Sequence, residues 1–231
     1  ILTASKKEYD SLFTYYYNYD KNIIHLLGFP RFDNLRDGKT KTILIMPSWR
    51  RYLNHESKYS ISNSKYFRTY NALINNKKLI EKTKKFGYEV IFRPHPHVYQ
   101  YIGLFDENND IKIDYERGSY QELFKKGALL ITDYSSVAFD FAYLKKPVLY
   151  YQYGEDYHFN LEESYFDYET MGFGEVCKTE DELVDLICEY MENDCKMKEK
   201  HAQNVDDYFT FTDQGNCRRV HEAIKKIKPR D

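Results

Sequence analysis

The chain has 231 residues, of which 42% are hydrophobic, and a formal net charge of −2 from 34 basic and 36 acidic residues. A chain of this length can bury the core of one large domain, with or without added helices. The balanced charge argues against the broad basic surface of nucleic-acid-binding proteins, and no nucleic-acid partner is predicted. The 4 cysteines form no C-x-x-C pair, which favours a reducing, cytosolic compartment. No stretch approaches the roughly 18 apolar residues of a membrane span.

Strand and helix patterns alternate along most of the chain. Residues 1–5 have the pattern of a strand that runs directly into a helix, and a second short strand is predicted over 23–27. Further strands are predicted over residues 42–46, 88–92, 111–113, 128–132 and 148–151, with helices over 66–85, 119–126 and 136–144. This alternation predicts an α/β fold with a Rossmann-like, doubly wound and mostly parallel sheet.

The last part of the chain is predicted to be helical. Thr179-Glu180-Asp181-Glu182 is a capping-box pattern, in which the Thr179 hydroxyl binds a first-turn N–H group and Glu182 reaches back to the cap. The helix that it starts is predicted to run to about Met191. Two more helical patterns follow, and the second covers residues 218–227.

Polar segments follow three of the predicted strands. They are Pro47-Ser48-Trp49-Arg50-Arg51, Arg93-Pro94-His95-Pro96-His97 and Asp133-Tyr134-Ser135-Ser136. In open α/β sheets, ligands bind just beyond the carboxyl ends of the strands. We therefore expect the three segments to meet at one edge of the sheet and to form a ligand site.

The segment 133–136 stands at the mouth of the helix predicted over 136–144. A helix N-terminus carries unpaired N–H groups and partial positive charge, so it binds phosphate readily, and the hydroxyls of Ser135 and Ser136 would add donors. The alternative is that Ser135 or Asp133 merely caps the helix, since serine and aspartate are both favoured caps. Asp133 would repel a phosphate, so we expect it to cap the helix, to orient a neighbour or to bind a ribose or polyol hydroxyl.

Arg93 and His95 form the sharpest motif of the sequence. Pro94 and Pro96 restrict the backbone on both sides of His95 and so fix the imidazole at the exit of the strand. A fixed imidazole suits proton transfer or donation of an N–H group to a reacting phosphate, and Arg93 offers a two-pronged phosphate ligand. A rigid loop with a structural histidine is the alternative. His97 lies beyond the second proline and is not expected to be catalytic.

Two further arginines stand in suggestive surroundings. Arg50 follows Trp49, the only tryptophan, and this pair would stack on or clamp a nucleotide, although a tryptophan that anchors a loop is equally ordinary. Arg31 ends the turn Gly28-Phe29-Pro30-Arg31, which leads into a short helix. A plain corner between domains is the alternative for that turn.

Together these segments resemble the CDP-glycerol glycerophosphotransferases, the polymerases and primases of wall teichoic acid, with relatives that build capsular polyol-phosphate polymers. The resemblance covers nearly the whole chain and is most specific over residues 132–147. It rests on Gly28-Phe29-Pro30-Arg31, Pro47-Ser48-Trp49-Arg50, Arg93-Pro94-His95-Pro96, Thr132-Asp133-Tyr134-Ser135-Ser136, Asp140 and the closing segments 165–169 and 213–220.

The resemblance implies a GT-B arrangement of two Rossmann-like domains, with the nucleotide donor held by the C-terminal one. Residues 1–36 would then be the end of the preceding N-terminal domain and the connection, and residues 37–231 the donor-binding domain with its closing helices. The N-terminal half of the family carries a Trp-His-Gly-Thr-type motif with another important histidine, which nothing in this sequence matches. Alone, the chain is expected to bind donor but to turn over little or nothing.

The implied reaction transfers glycerol phosphate, or a similar polyol phosphate, from a CDP-activated donor to a growing polymer and releases CMP. The donor is a substrate, and no cofactor or metal is implied. The implied partners are the donor, a lipid-linked polymer acceptor and the missing N-terminal domain, at the cytoplasmic face of the membrane. His95 is the expected catalytic residue. The expected donor-binding residues are Arg31, Arg50, Arg93, Thr132, Asp133, Ser135 and Ser136.

Two other functions stay open at this point. One is a GT-B glycosyltransferase that uses a nucleotide sugar, and the other is a nucleotide-binding module without catalysis of its own. The segments 171–174 and 213–215 depart from the Pro-Gly-Pro-like and Asp-Gly turns that are usual in the family. Both lie in loops near the expected site, so these departures bear on the identity of the donor.

Overall fold

The computed structural model describes residues 1–13, 19–38, 40–114, 118–154 and 164–227. These residues contain eight strands: β1 (Leu2–Thr3), β2 (His25–Leu26), β3 (Thr42–Ile45), β4 (Glu89–Phe92), β5 (Ile111–Ile113), β6 (Gly127–Thr132), β7 (Val148–Tyr151) and β8 (Val176–Cys177). β1 and β2 form a small parallel pair, and the other six form one parallel sheet in the order β5-β4-β3-β6-β7-β8. The predicted parallel α/β sheet is confirmed.

Helices lie on both faces of the large sheet. Within the described ranges they are α1 (Lys6–Ser11), α2 (Lys58–Ser62), α3 (Lys65–Ile74), α4 (Lys77–Phe86), α5 (Tyr120–Lys126), α6 (Val137–Tyr143), α7 (Glu180–Glu192), α8 (Glu199–Tyr208) and α9 (Asn216–Lys225). The side chains of β3 alternate between two cores, Ile43 and Ile45 in one and Leu44 in the other. The first core receives α3, α4 and α7, and the second receives α5, α6 and α8. Because both faces are covered, β3 and β7 are buried throughout, and Thr42 is the one polar residue of β3.

One predicted helix is two helices in the structure. The continuous helix expected over 66–85 is interrupted at Asn75 and Asn76, between α3 and α4. The Asn76 side chain accepts the Leu79 N–H group at 3.0 Å and so caps α4. Asparagine side chains compete for backbone hydrogen bonds, and this explains why the pair ends one helix and starts the next.

The remaining predicted elements agree with the structure to within a few residues. β5 and β7 have the predicted bounds, and the capping box at Thr179 is formed by both of its reciprocal hydrogen bonds. The two-residue strand β8 was not predicted. Short 3-10 helices over Pro30–Asn34, Arg51–Leu53 and Pro96–Leu104 carry the loops that leave β2, β3 and β4.

The last helix is anchored on the first segment of the chain. The Asp33 carboxylate accepts the backbone N–H groups of Asn216 at 3.0 Å and Cys217 at 2.7 Å, so it caps α9 from a distant part of the sequence. Arg219 donates to the Leu27 carbonyl oxygen at 3.0 Å. The division at residues 36 and 37 stays a prediction, but the structure ties the two sides of it together.

In the described part of the chain, no helix is both long enough and apolar enough to cross a bilayer.

A glycine is required at position 28, in the segment that contacts α9. Its φ is +75°, and a Cβ atom at this position would collide with the Asn216 side chain. We expect Gly28→Ala to lower the free energy of unfolding by roughly 1–3 kcal/mol, because it adds backbone strain and displaces Asn216. Urea unfolding measures the change. Gly103→Ala is the control, since nothing lies within 4 Å of its added Cβ atom, and equal losses in the two variants would contradict the expectation.

Candidate functional site

The three polar strand-end segments meet at the carboxyl edge of the sheet, as predicted. Asp133, after β6, accepts the backbone N–H group of Ser48, after β3, at 2.9 Å. The Trp49 ring packs edge-on against His97, after β4, with 6.0 Å between the ring centroids. The strand order places β4, β3 and β6 side by side, so segments that are distant in sequence form one cluster.

Asp133 is the centre of this cluster and is fully buried. Its Oδ1 atom accepts the N–H groups of Ser48 at 2.9 Å and Tyr134 at 2.7 Å, and its Oδ2 atom accepts from Arg50 at 2.8 Å and from the Tyr70 hydroxyl at 3.4 Å. The expectation that Asp133 caps α6 is wrong, because Ser136 occupies the N-cap position of that helix. The expectation that it orients its neighbours agrees with this geometry.

Arg50 is enclosed with Asp133, and only 3% of its surface is exposed. The centre of its guanidinium group lies 5.7 Å, 5.9 Å and 5.6 Å from the ring centroids of Tyr66, Tyr134 and Tyr153. Burial, the largest single effect, would lower the pKa of Arg50, but the charge of Asp133, its hydrogen bond and the neighbouring Tyr153 and Tyr70 together outweigh burial and raise the pKa above its ordinary value. Arg50 is thus a permanent buried cation. It is paired with an acid and is not exposed for a nucleotide to bind.

His95 leaves β4 as a half-buried side chain in the expected position. Its Nδ1 atom accepts the backbone N–H group of His97 at 3.3 Å, and this assigns the proton of the neutral ring to Nε2. Burial lowers the pKa of His95, and the neighbouring His97 lowers it further, against an opposing effect of Asp133. At neutral pH the ring is therefore an uncharged donor through Nε2–H.

Arg93 is buried on the outer side of the site, towards β5. Its Nη2 atom donates to the Gly118 carbonyl oxygen at 2.8 Å, and its Nε atom lies 3.5 Å from the Asp114 carboxylate. The guanidinium centre stands 4.9 Å from the centroid of the Tyr120 ring. The loop at the end of β5 thus supplies a partner for Arg93 that the sequence did not indicate.

The two serines before α6 differ in exposure and in bonding. Ser135 is half-buried and its Oγ atom accepts the Val137 N–H group at 3.4 Å. Ser136 is exposed at the N-cap and makes no capping hydrogen bond with its side chain. The hydroxyl of Ser136 is thus placed at the surface of the site, at the start of a helix.

Thr132 does not contribute a hydroxyl to the site. It is fully buried, and its Oγ1 atom donates to the Met46 carbonyl oxygen at 2.7 Å. That bond joins the end of β6 to the end of β3. The expectation of a donor-binding role for Thr132 is wrong in this structure, because its side chain is committed to the scaffold below the site.

Arg31 lies beside the first turn of α6. It forms a two-pronged pair with Asp140, at 2.6 Å and 3.3 Å, and its guanidinium centre is 4.3 Å from the Phe29 ring centroid. Arg31 and Ser136 line the same cavity of about 280 Å³, together with Ala4, Glu8, Phe29, Phe32, Phe139, Tyr165, Tyr208 and Phe209. The pKa of Glu8 there is raised by burial.

Sequence reasoning missed several residues of the cluster. Gln152, directly after β7, donates to the carbonyl oxygen of Asp133 at 3.5 Å, and the same strand-end rule applied to β7 would have identified it. Tyr70 comes from the middle of α3, where its pattern is that of an ordinary core residue. Among the residues that the structure describes, no group of three or more His, Cys, Asp or Glu side chains is arranged to hold a metal ion.

A family model described as CDP-Glycerol:Poly(glycerophosphate) glycerophosphotransferase matches residues 1–226 of the chain. The minor teichoic acid biosynthesis protein GgaB of Bacillus subtilis is 44% identical over 98% of this chain. A teichoic acid poly(glycerol phosphate) polymerase of Bacillus spizizenii is 30% identical over 81% of it. The matches cover 26% and 43% of those two proteins, so the chain spans less than half the length of either relative.

Solved structures support the fold. The wall teichoic acid polymerase TagF superposes with a TM-score of 0.73 at 21% identity, covering 97% of this chain and 57% of TagF. A UDP-GlcNAc 2-epimerase of Methanocaldococcus jannaschii, solved with UDP-GlcNAc and UDP, superposes with a TM-score of 0.52 at 19% identity, over 90% of this chain and 56% of that one. At these identities the likeness establishes the architecture, and it confirms the predicted Rossmann-like fold of GT-B type.

The protonation of His95 provides a test of its surroundings. The pKa of His95 is lower in the folded state than in the unfolded chain, so the unfolded chain binds the proton more readily. The stability that the neutral ring contributes to the folded state is therefore fully present above about pH 6.5. That contribution is lost as the pH falls through the lower pKa of the folded state. We expect His95→Gln to lose less stability than the wild type between pH 7 and pH 5 in urea unfolding.

The exposed His221 of α9 supplies the matched control for this comparison. His221→Gln should show the pH dependence of the wild type. If His95→Gln and His221→Gln have the same pH dependence, the surroundings described for His95 do not govern its protonation.

Proposed function

This chain belongs to the CDP-glycerol:poly(glycerophosphate) glycerophosphotransferase family, and we propose that it forms the donor-binding part of a polyol-phosphate transferase. The observation that carries the proposal is the meeting of His95, Ser135 and Ser136 at one edge of a parallel sheet, beside Arg31 and Arg93. A nucleotide diphosphate needs hydrogen-bond donors and cations in one place, and this edge supplies both.

The pyrophosphate of the donor is assigned to the start of α6. Ser135 and Ser136 would bind it through hydroxyl groups and through the first N–H groups of the helix. Arg31, which is 47% exposed in its side chain, can reach a phosphate from the same cavity as Ser136. The buried Arg50 and Arg93 each lie beside a carboxylate, Asp133 and Asp114, so Arg31 is the cation that we assign to the phosphate.

In the full-length protein, the proposed reaction is a single phosphoryl transfer. A hydroxyl oxygen of the polymer acceptor forms a bond to the phosphorus that carries the polyol, the bond from that phosphorus to the CMP oxygen breaks, and the hydroxyl proton leaves. Such transfers depend on positioning and on stabilising the phosphate charge. His95 suits the second task, because its neutral ring offers Nε2–H to a phosphate oxygen.

The tautomer of His95 also limits its role. An Nε2 atom that already carries a proton cannot accept one from the acceptor hydroxyl, so the proton acceptor has to come from elsewhere. We assign it to the preceding domain that the family resemblance implies. The names of two relatives include teichoic acid, and this supports a teichoic-acid-like polymer as acceptor. The lipid link of that acceptor and the location at the cytoplasmic face of the membrane are proposed from the family resemblance alone.

Donor binding can be measured on this chain directly by calorimetry. We expect CDP-glycerol or CDP-ribitol to bind more tightly than UDP-GlcNAc, and Ser135→Ala with Ser136→Ala to weaken binding by about tenfold or more, because hydrogen bonds to a charged group are lost. Ser60→Ala with Ser62→Ala, two half-buried serines of α2, should leave the affinity unchanged. Tighter binding of UDP-GlcNAc would favour a nucleotide-sugar glycosyltransferase instead, and no binding of any donor would end the proposal.

The role of His95 is tested in the full-length protein. His95→Ala should reduce polymer synthesis by about a hundredfold or more while donor affinity stays close to that of the wild type, because the ring acts mainly on the transition state. His221→Ala, at the exposed histidine of α9, is the control. Unchanged synthesis with His95→Ala would leave this residue without a chemical role and would favour a binding module.

A further inference from the structure

We propose that Arg50 and Asp133 are positioning residues, which fix the loop after β3 against the loop after β6 and do not themselves contact the donor. The inference rests on the proposed function, because it explains how the donor-binding loops are held. It replaces the expectation that Arg50 clamps the nucleotide and that Asp133 binds one of its hydroxyl groups.

The two oxygen atoms of Asp133 have separate tasks. Oδ1 accepts two backbone N–H groups, from Ser48 at 2.9 Å and from Tyr134 at 2.7 Å, so it holds the two loops together through main-chain atoms. Oδ2 accepts from Arg50 at 2.8 Å and from Tyr70 at 3.4 Å. With two bonds to each oxygen, the carboxylate is saturated by the protein and has no site left for a ribose or polyol hydroxyl.

Arg50 is committed to the same task. Its Nη1 atom donates to Asp133 and also to the Ser48 hydroxyl at 2.9 Å, so Arg50 also stabilises its own loop after β3. Only 3% of its surface is exposed, and three tyrosine rings surround its guanidinium group. Moving Arg50 outward to a phosphate would leave the Asp133 charge buried without its partner, which is strongly unfavourable.

The pair determines the position of the groups that are expected to bind donor. Ser135 directly follows Tyr134, whose N–H group is held by Asp133. Trp49, directly after Ser48, packs on His97, and the His97 N–H group orients the His95 ring. A shift of either loop would therefore change the distance between the phosphate-binding serines and His95, and small displacements of this kind are costly in phosphoryl transfer.

A double-mutant cycle separates positioning from direct contact. Asp133→Asn keeps an oxygen for the two backbone N–H groups but leaves the Arg50 cation unpaired, and Arg50→Gln leaves the Asp133 anion unpaired. The double variant restores a neutral, hydrogen-bonded pair. We expect each single variant to weaken CDP binding by at least about tenfold, and the double variant to bind within about threefold of the wild type.

Direct contact predicts a different result. If Arg50 binds donor phosphate itself, the double variant binds as weakly as Arg50→Gln, and this overturns the proposal. Calorimetry is carried out at a temperature at which unfolding curves show all variants to be folded. Wild-type affinity in both folded single variants also overturns it, because the pair would then have a structural role alone. A double variant that does not fold contradicts it as well, since the neutral pair should preserve the scaffold.

The exposed pair Lys78 and Asp185 provides the matched control, with side chains that are 55% and 61% exposed. Lys78→Gln, Asp185→Asn and their combination should leave CDP affinity unchanged. If the wild-type chain binds no CDP, the proposed function fails. The same cycle measured by urea unfolding then still tests whether the buried pair holds the loops: additive losses in stability would overturn that part too, and rescue in the double variant would support it.

Discussion

A fully buried carboxylate, Asp133, holds the carboxyl edge of the sheet together through four hydrogen bonds. Removing two charges from water costs several kcal/mol each, and their attraction in a buried pair often only balances that cost. Net stability is therefore a poor explanation for the Asp133 and Arg50 pair. The pair instead provides conformational specificity. Each of its hydrogen bonds has one partner and one geometry, so loops that would otherwise adopt several arrangements are held in one.

The aromatic residues make this arrangement possible. Tyr66 and Tyr70 of α3 and Tyr153 after β7 surround the pair with rings, which exclude water and strengthen the attraction between the two charges. The high tyrosine content, 24 residues, therefore has a use beyond filling space. A ring with a hydroxyl group packs as a core residue and still offers a hydrogen bond where a buried charge needs one, as Tyr70 does.

The sequence predicted the sheet, its order of helices and strands, and the meeting of three polar segments, because these follow from local patterns and from the rule that parallel strands end at a common edge. It did not predict which polar atoms pair. Arg50 was expected to clamp the nucleotide and Arg93 to bind phosphate, but Asp133 and Asp114 are their partners in the structure. The residues next to an arginine in the sequence do not show whether a carboxylate from another strand will pair with it in the fold. The prediction for Thr132 was wrong for the same reason, because its hydroxyl donates a hydrogen bond to the Met46 carbonyl oxygen at the end of the neighbouring strand.

The cap that Asp33 places on α9 also has a consequence for the order of folding. The carboxylate and the Asn216 N–H group that it accepts are 183 residues apart in the chain. At a synthesis rate of about 5–20 residues per second, Asp33 is made on the order of 10–40 seconds before Asn216. The sheet can form during that interval, and Arg31 and Phe32 of the connection can pack on α6, but the Asp33 carboxylate lacks the N–H groups of α9 until that helix is made. The cap on α9 is therefore a contact that forms late in synthesis, after the sheet that it adjoins.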